Sequence, residues 1–239
     1  MGRGVNGGKD VCSQPLVGVV IPVWNGERYL RDAIESVLSQ THTALDVVVV
    51  DDGSTDATPD IAQSYAPLVR VIHRPHEGLG ATRNAGLEAV RGEYVAFLDH
   101  DDLWPERKLE LQLAAFGAQM THDLVFGHVR EFVSPELAGA ALGLRCVTEL
   151  RPATVAGAML ATRGAVDRVG PVPTQWVSAD FLAWLLVARR LGLREVMLPE
   201  HVLSRRIHDN NMSLRQAAVT RAEYVRILKE SIGRDTTSC

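Results

Sequence analysis

Cysteine is scarce in this chain: there are three among 239 residues. Cys12, Cys146 and Cys239 stand far apart, with no C-x-x-C pair and no even-numbered framework, so a disulfide scaffold is not expected. That usage suits a reducing, cytoplasmic compartment. An excess of positive charge is also missing, since 25 Lys and Arg face 29 Asp and Glu for a formal charge of −4. This balance offers no basic field to a nucleic-acid backbone and no polybasic patch to a membrane surface. No apolar run approaches the roughly 18 residues of a membrane span, and the opening "MGRGVNGGKD" lacks the apolar segment of a signal peptide. The same opening departs from the N-myristoylation pattern, which wants Ser or Thr where Asn6 stands, so residues 1–14 read as a flexible tail. What the chain does have is 46% apolar residues, ample for the core of one large α/β domain.

The apolar residues fall in an ordered pattern. "LVGVVIPV" (Leu16 to Val23) is a continuous β-branched run, as a strand buried on both faces requires. Leu30, Ala33, Ile34, Val37 and Leu38 then recur at helical spacing. "LDVVVVDDGST" repeats the logic, with a strand over Val47 to Val50, a polar loop, and Thr58 as N-cap before Pro59. "LVRVIH" is a third strand, "GLGATRNAGLEAVRG" a helix left at Gly92, and "EYVAFL" a fourth strand. Strands alternating with helices over the first 116 residues predict right-handed βαβ units and an open, mostly parallel sheet. Beyond them "HDLVFGHVREF" alternates like a half-exposed strand, and "ADFLAWLLVARRLG" is a helix closed by Gly192. A final amphipathic helix is expected from about Leu214 to Ile232.

In such sheets ligands sit outside the carboxyl ends of the strands. Three loops there are unusual: "PVWNGE", "VDDGST" and "LDHDD". Asp52 is placed to accept a hydrogen bond from a base N–H, although the same spacing suits a turn-forming loop. Asp99 and Asp101, two apart, are suited to a divalent cation through hard oxygen ligands, and their mutual repulsion favours such a partner. His100 alternates away from them, towards solvent or a neighbouring loop. Alone, His208 reads as a polar loop residue. Other patterns fail: "GLGATR" ends in Arg83 where a dinucleotide loop needs glycine, and neither a P-loop nor a G-x-S-x-G elbow occurs.

Taken together, "VVIPVWN", "VDDGSTDAT", "RNAGLEAVRGEYVAFLDHDD", "SADF" and "RRIHDNNMS" resemble a family 2 glycosyltransferase with the GT-A fold, densely over residues 16–116. The resemblance implies a single Rossmann-like domain with helices on both faces. Residues 15–116 would form its nucleotide-sugar-binding half, residues 117–213 its acceptor-binding half, and residues 214–239 a C-terminal helix and tail. It further implies that the backbone around Pro22 and Val23, with Asn25 and Glu27, borders the nucleotide, and that Asp52 reads the base edge of a uridine-like nucleotide. Asp99 would approach the ribose or the metal, Asp101 would be the principal ligand of Mn2+ or Mg2+, and His208 would complete the metal site. Arg83 and Asn84 would frame the donor pocket, while Asp102 holds the loop or meets the donor sugar. The family's acidic pair before a long helix reads Ala179-Asp180 here, which leaves Asp180 as the general base of an inverting transfer and departs from the pattern at Ala179. Asn211 and Ser213 match the same family pattern.

Two rival readings are a sugar-nucleotide-binding protein without catalysis, motivated by Ala179, and a nucleotidyltransferase. The second lacks a glycine-rich triphosphate loop after the first strand. The acceptor, whether saccharide, lipid-linked intermediate, small metabolite or peptide, is expected to meet residues from about Phe132 to Trp176. "PVPTQWVSAD" is expected to form a flexible loop over the cleft, with Trp176 either stacking on the acceptor or anchoring the loop.

Overall fold

The β-branched runs form strands where both faces can be buried. This computed structural model describes residues 14–117, 121–137 and 146–235. In it β1 (Val17–Val23), β2 (Leu45–Asp51), β3 (Val69–His73) and β4 (Tyr94–Phe97) pair in parallel in the order β3-β2-β1-β4. Apart from Gln14, the expected tail lies outside the described residues, as does Cys239. Alternate residues serve two cores. Val17, Val19, Ile21 and Val23 pack with α1 (Leu30–Leu38), α2 (Thr58–Gln63) and α4 (Lys108–Phe116). Val20, Val48, Val50, Val95 and Phe97 pack on the opposite side with α3 (Leu79–Ala89), α5 (Arg163–Val169) and α6 (Asp180–Arg190). Each fully buried Val, Ile or Phe contributes about 1.5–3 kcal/mol by leaving water. A Cβ on Gly86 would stand 2.2 Å from Val20 Cγ1, so glycine is what lets α3 lie this close to β1.

The second half extends the same sheet with mixed direction. β7 (Leu160–Thr162) is antiparallel both to β4 and to β5 (Leu124–Val133), β6 (Arg151–Ala153) is antiparallel to β5, and β8 (Glu195–Ile207) is parallel to β5. Two reversals, from β4 through β7 to β5, restore the original direction. The carboxyl ends of β5 and β8 therefore lie on the same edge as those of β1 to β4. β5 is buried on both faces over Leu124 to Gly127 and alternates only from His128 onward, unlike the half-exposed strand its sequence suggests.

Three local expectations are corrected. Thr58 is the first helical residue of α2, with Ala57 as N-cap, and the Asp56 carboxylate accepts the Thr58 N–H (3.0 Å). The Thr58 hydroxyl instead accepts the Gly26 N–H from the preceding βα loop (2.7 Å). α3 ends at Ala89 rather than at Gly92, which turns the chain into β4 at φ 125°. The terminal helix is two: α7 (Met212–Arg215) and α8 (Ala217–Asp235). Gly192 does close α6 as predicted: at φ 71° it directs its own N–H to Arg189 O (3.0 Å) and that of Leu193 to Ala188 O (3.1 Å). No helix among the described residues is long and apolar enough to cross a membrane.

Candidate functional site

The loops that follow β1 and β2 are laced together at the carboxyl edge of the sheet. Asn25 N–H donates to Ser54 Oγ (2.8 Å), and Asn25 Oδ1 accepts the Thr55 N–H (2.8 Å). Glu27 N–H donates to Asp56 Oδ2 (3.1 Å), while Glu27 Oε2 accepts the Ala57 N–H (3.0 Å). Asn25 adopts φ 49°, a left-handed conformation that asparagine tolerates because its side chain bonds locally. Pro22 and Val23 stay within β1, and Val23 O accepts the Asp52 N–H (2.9 Å). Trp24, which sequence reasoning passed over, is 50% exposed and stacks on His76 with ring centroids 4.5 Å apart. A lone Trp directly after a buried strand was the available signal.

Asp52 contacts His76 of this pair and is buried. Its Oδ1 accepts the Glu77 N–H and its Oδ2 the Gly78 N–H, both at 2.9 Å, and His76 Nδ1 lies 2.8 Å from Oδ2. The carboxylate thus shapes the turn that leads into α3. Asn84 holds a more distant loop, donating to Val172 O (2.8 Å) and accepting the Val172 N–H (2.7 Å).

Arg83, on α3, joins two of the predicted carboxylates. Its guanidinium donates to Asp99 Oδ1 (2.8 Å) after β4 and to Asp180 Oδ2 (2.5 Å) at the first turn of α6. The Arg83 and Asp180 side chains are 4% and 1% exposed, whereas Asp99 is 38% exposed and marks the open end of the trio. Burial would pull the guanidinium's proton affinity down, but the charges of Asp180 and Asp99 outweigh it and hold it above its ordinary value.

The other acidic residues of "LDHDD" part company. Asp101 Oδ2 lies 3.0 Å from His208 Nε2 and 3.3 Å from Asn211 Nδ2. His208 follows β8 on the same edge, and its Nδ1 accepts the Asn210 N–H (3.2 Å), so Nε2 carries the proton shared with Asp101. Burial would raise the Asp101 carboxyl, yet the His208 hydrogen bond and the nearby His100 and His208 imidazoles hold it down at about 2. Asp102 is buried, accepts the Arg206 N–H (2.9 Å), and is pushed well above the usual carboxylate range by burial and by Asp101 and Asp99. Its geometry fits the loop-holding alternative. His100 packs against the neighbouring loop, where a Cβ on Gly26 would meet its Cδ2 at 2.6 Å.

Two supporting side chains were not legible as part of the site. Arg206 donates to Asp101 O (3.0 Å) and Asp32 Oδ2 (2.8 Å), and its guanidinium lies over Tyr29 and Phe132, 4.6 and 4.9 Å from the ring centroids. Tyr29 also meets the His208 ring, with centroids 4.6 Å apart. The signal for Arg206 was an arginine just before the apolar Ile207 that ends the strand, in "VLSRRI". The side chain of Ser213 lies outside the described residues.

The loop before α6 is fastened down rather than free. Trp176 is buried against Ala179 and Ile227 of α8, which decides in favour of the packing anchor. Arg226 lies over its ring at 5.1 Å.

Among the described residues no group of three or more His, Cys, Asp and Glu is placed to hold a metal. The donor set at Asp101 still fits a hard divalent ion that draws most of its shell from a bound diphosphate: one carboxylate held in its charged form, with an imidazole nitrogen 3.0 Å away. Such an ion would replace the proton shared by Asp101 and His208.

An open α/β sheet whose carboxyl edge gathers a Trp–His stack, a carboxylate–imidazole pair and a buried Asp–Arg–Asp trio has the architecture of the GT-A fold. The profile of the family described as Glycosyl transferase family 2 matches residues 18–159, more than half of the sequence, and the chain belongs to that family. It is 40% identical over 121 residues to the putative glycosyltransferase EpsH of Bacillus subtilis, covering 49% of this chain and 35% of that protein. It is 44% identical over 104 residues to the putative teichuronic acid biosynthesis glycosyltransferase TuaG of the same organism, covering 42% and 41%. The chain thus spans well under half the length of these relatives. Among solved structures, the mannosyltransferase PcManGT of Pyrobaculum calidifontis in complex with GDP-Man and Mn2+ superimposes with a TM-score of 0.68 at 21% identity, covering 92% of this chain and 65% of that one. S. aureus TarS 1-349 in complex with UDP-GlcNAc gives 0.67 at 23% identity, covering 82% and 60%. Both share the fold.

Proposed function

We propose that this chain transfers a sugar from a nucleoside-diphosphate sugar, a UDP-sugar by preference, to a nucleophilic acceptor, with inversion and with a divalent cation. The observation that carries the reading is the Asp99–Arg83–Asp180 trio, which brings β4, α3 and α6 to one point beside Asp101 and His208. The family and the nucleotide sugars bound by PcManGT and TarS support the donor class. The base lies beside Trp24 and His76, the β1 and β2 loops with Pro22, Val23, Asn25 and Glu27 border the nucleoside, and Asp52 backs them. The scattered cysteines suit cytoplasmic work.

In the reaction the acceptor's oxygen or nitrogen attacks the anomeric carbon, the bond from that carbon to the diphosphate breaks, and the acceptor's proton passes to Asp180. Asp101 and His208, with Asp99 beside them, would hold a divalent cation, which would supply charge neutralisation for the departing diphosphate. Because Asp180 is sealed by Arg83, the acceptor reaches it by displacing the guanidinium towards Asp99, its more exposed partner. Titration calorimetry with UDP and Mn2+ tests the metal side. Asp101→Ala is expected to weaken the Mn2+-dependent affinity, and an unchanged affinity removes Asp101 from the role.

A further inference from the structure

α6 carries the candidate base at its first residue, and its N-cap, Ala179, offers no side-chain oxygen that could fix how the chain enters the helix. The segment that leads into it is instead held by an acceptor from α8. Glu223 Oε1 accepts the Val177 N–H (2.8 Å), and Oε2 accepts the N–H groups of Ser178 (3.0 Å) and Ala179 (3.1 Å). The Ser178 hydroxyl lies 3.2 Å from the same Oε2 and 2.8 Å from Thr220 Oγ1. Three successive amides thus form a concave anion site, and one carboxylate from a distant helix fills it. Burial would raise the Glu223 carboxyl, but the amides of Val177, Ser178 and Ala179 together hold it below its ordinary value.

Packing fixes the same junction. Trp176, Ala179 and Ile227 form a small apolar cluster between the loop and the two helices, and Ala179 is fully buried within it. A longer side chain at Ala179 would have to displace Trp176 or Ile227, so this junction takes its acid from α8 instead.

We propose that Glu223 is a positioning residue for Asp180: it sets the entry of α6 and so the direction in which Asp180 meets Arg83 and the acceptor. The inference rests on the reading of Asp180 as the base. The test compares the full chain with Glu223→Ala, Glu223→Gln and Asp180→Asn. In Glu223→Ala, kcat is expected to fall roughly 10–100-fold, as for loss of an outer group that orients a reacting one. Nucleoside-diphosphate affinity should persist, and amide exchange at Val177, Ser178 and Ala179 should accelerate. Glu223→Gln, which keeps an acceptor oxygen, should recover part of kcat. The inference is overturned if exchange at those amides does not change, or if kcat in Glu223→Ala equals that of the wild type. It is equally overturned if kcat, nucleotide affinity and thermal stability fall together, which marks a merely structural role. Asp180→Asn separates the two claims: transfer retained there removes the base reading, whereas transfer lost there but intact in Glu223→Ala removes only Glu223.

Discussion

Arg83 is a charged side chain held inside the protein by two others. Besides its bonds to Asp99 and Asp180, its guanidinium lies over the Phe97 ring, 5.9 Å from the centroid, and its buried Nε has no hydrogen-bond partner. Removing one member of a buried ion pair leaves the other desolvated and unpaired. Arg83→Met is therefore expected to lower stability by about 3–5 kcal/mol in denaturant unfolding, the range for breaking such a pair. A loss no larger than a surface substitution gives would show that Asp180 is hydrated and the trio is not a buried unit. The sequence singled out Asp99 by its place after the fourth strand, and Arg83 and Asp180 only through the family resemblance. It could not pair them, since Arg83 and Asp180 lie 97 positions apart and only the packing of α3 against α6 brings them together. Glu223 was invisible for a further reason: on an amphipathic helix one more glutamate reads as solvated.

At the scale of elements, α4 follows the carboxylate loop and is pinned by a buried lysine. Lys108 has no exposed surface, donates to Gln112 Oε1 (2.6 Å) and lies 4.1 Å from the centroid of the Trp104 ring. Trp104 in turn donates from its indole to Gly157 O (2.9 Å), which ties the end of "LDHDDLW" to the turn before β7. Burial pushes the Lys108 ammonium well below its ordinary value of 10.5, which the unfolded chain retains. Between the two values the unfolded state binds more protons, so folding stability rises with pH across that window. Wild type should therefore gain stability relative to Lys108→Met as the pH is raised from about 7 to about 10. Parallel curves from chemical unfolding at each pH would contradict this. The legible elements were the ones whose residues declare two buried faces, as in β1, β2 and β4. β6 and β7 were not, because three-residue strands in antiparallel pairing depend on distant partners rather than on local period. The split between α7 and α8 left no local signal either.

The described residues share one sheet, and the proposed function places both donor and acceptor along a single edge of it. In the proposed reading the parallel half, β1 to β4, presents its loops to the nucleotide, and the reversals through β7 and β5 bring β8 round so that His208 meets Asp101 across 107 positions. The family profile covers the first half and continues to residue 159. Past that point the sequence carries only scattered matches, and there α6 and α8 build the far wall of the site around Asp180. The metal-side pair, from the ends of β4 and β8, and the proposed base, on α6, thus come from distant parts of the sequence and converge only in the folded chain. The most direct test of the account is a paired measurement on Asp180→Asn: single-turnover transfer from the nucleotide-sugar donor that wild type uses, and Mn2+-dependent binding of that donor to the same sample. The account predicts transfer reduced by roughly 10²–10⁴-fold with donor binding retained. Transfer at the wild-type rate would contradict it.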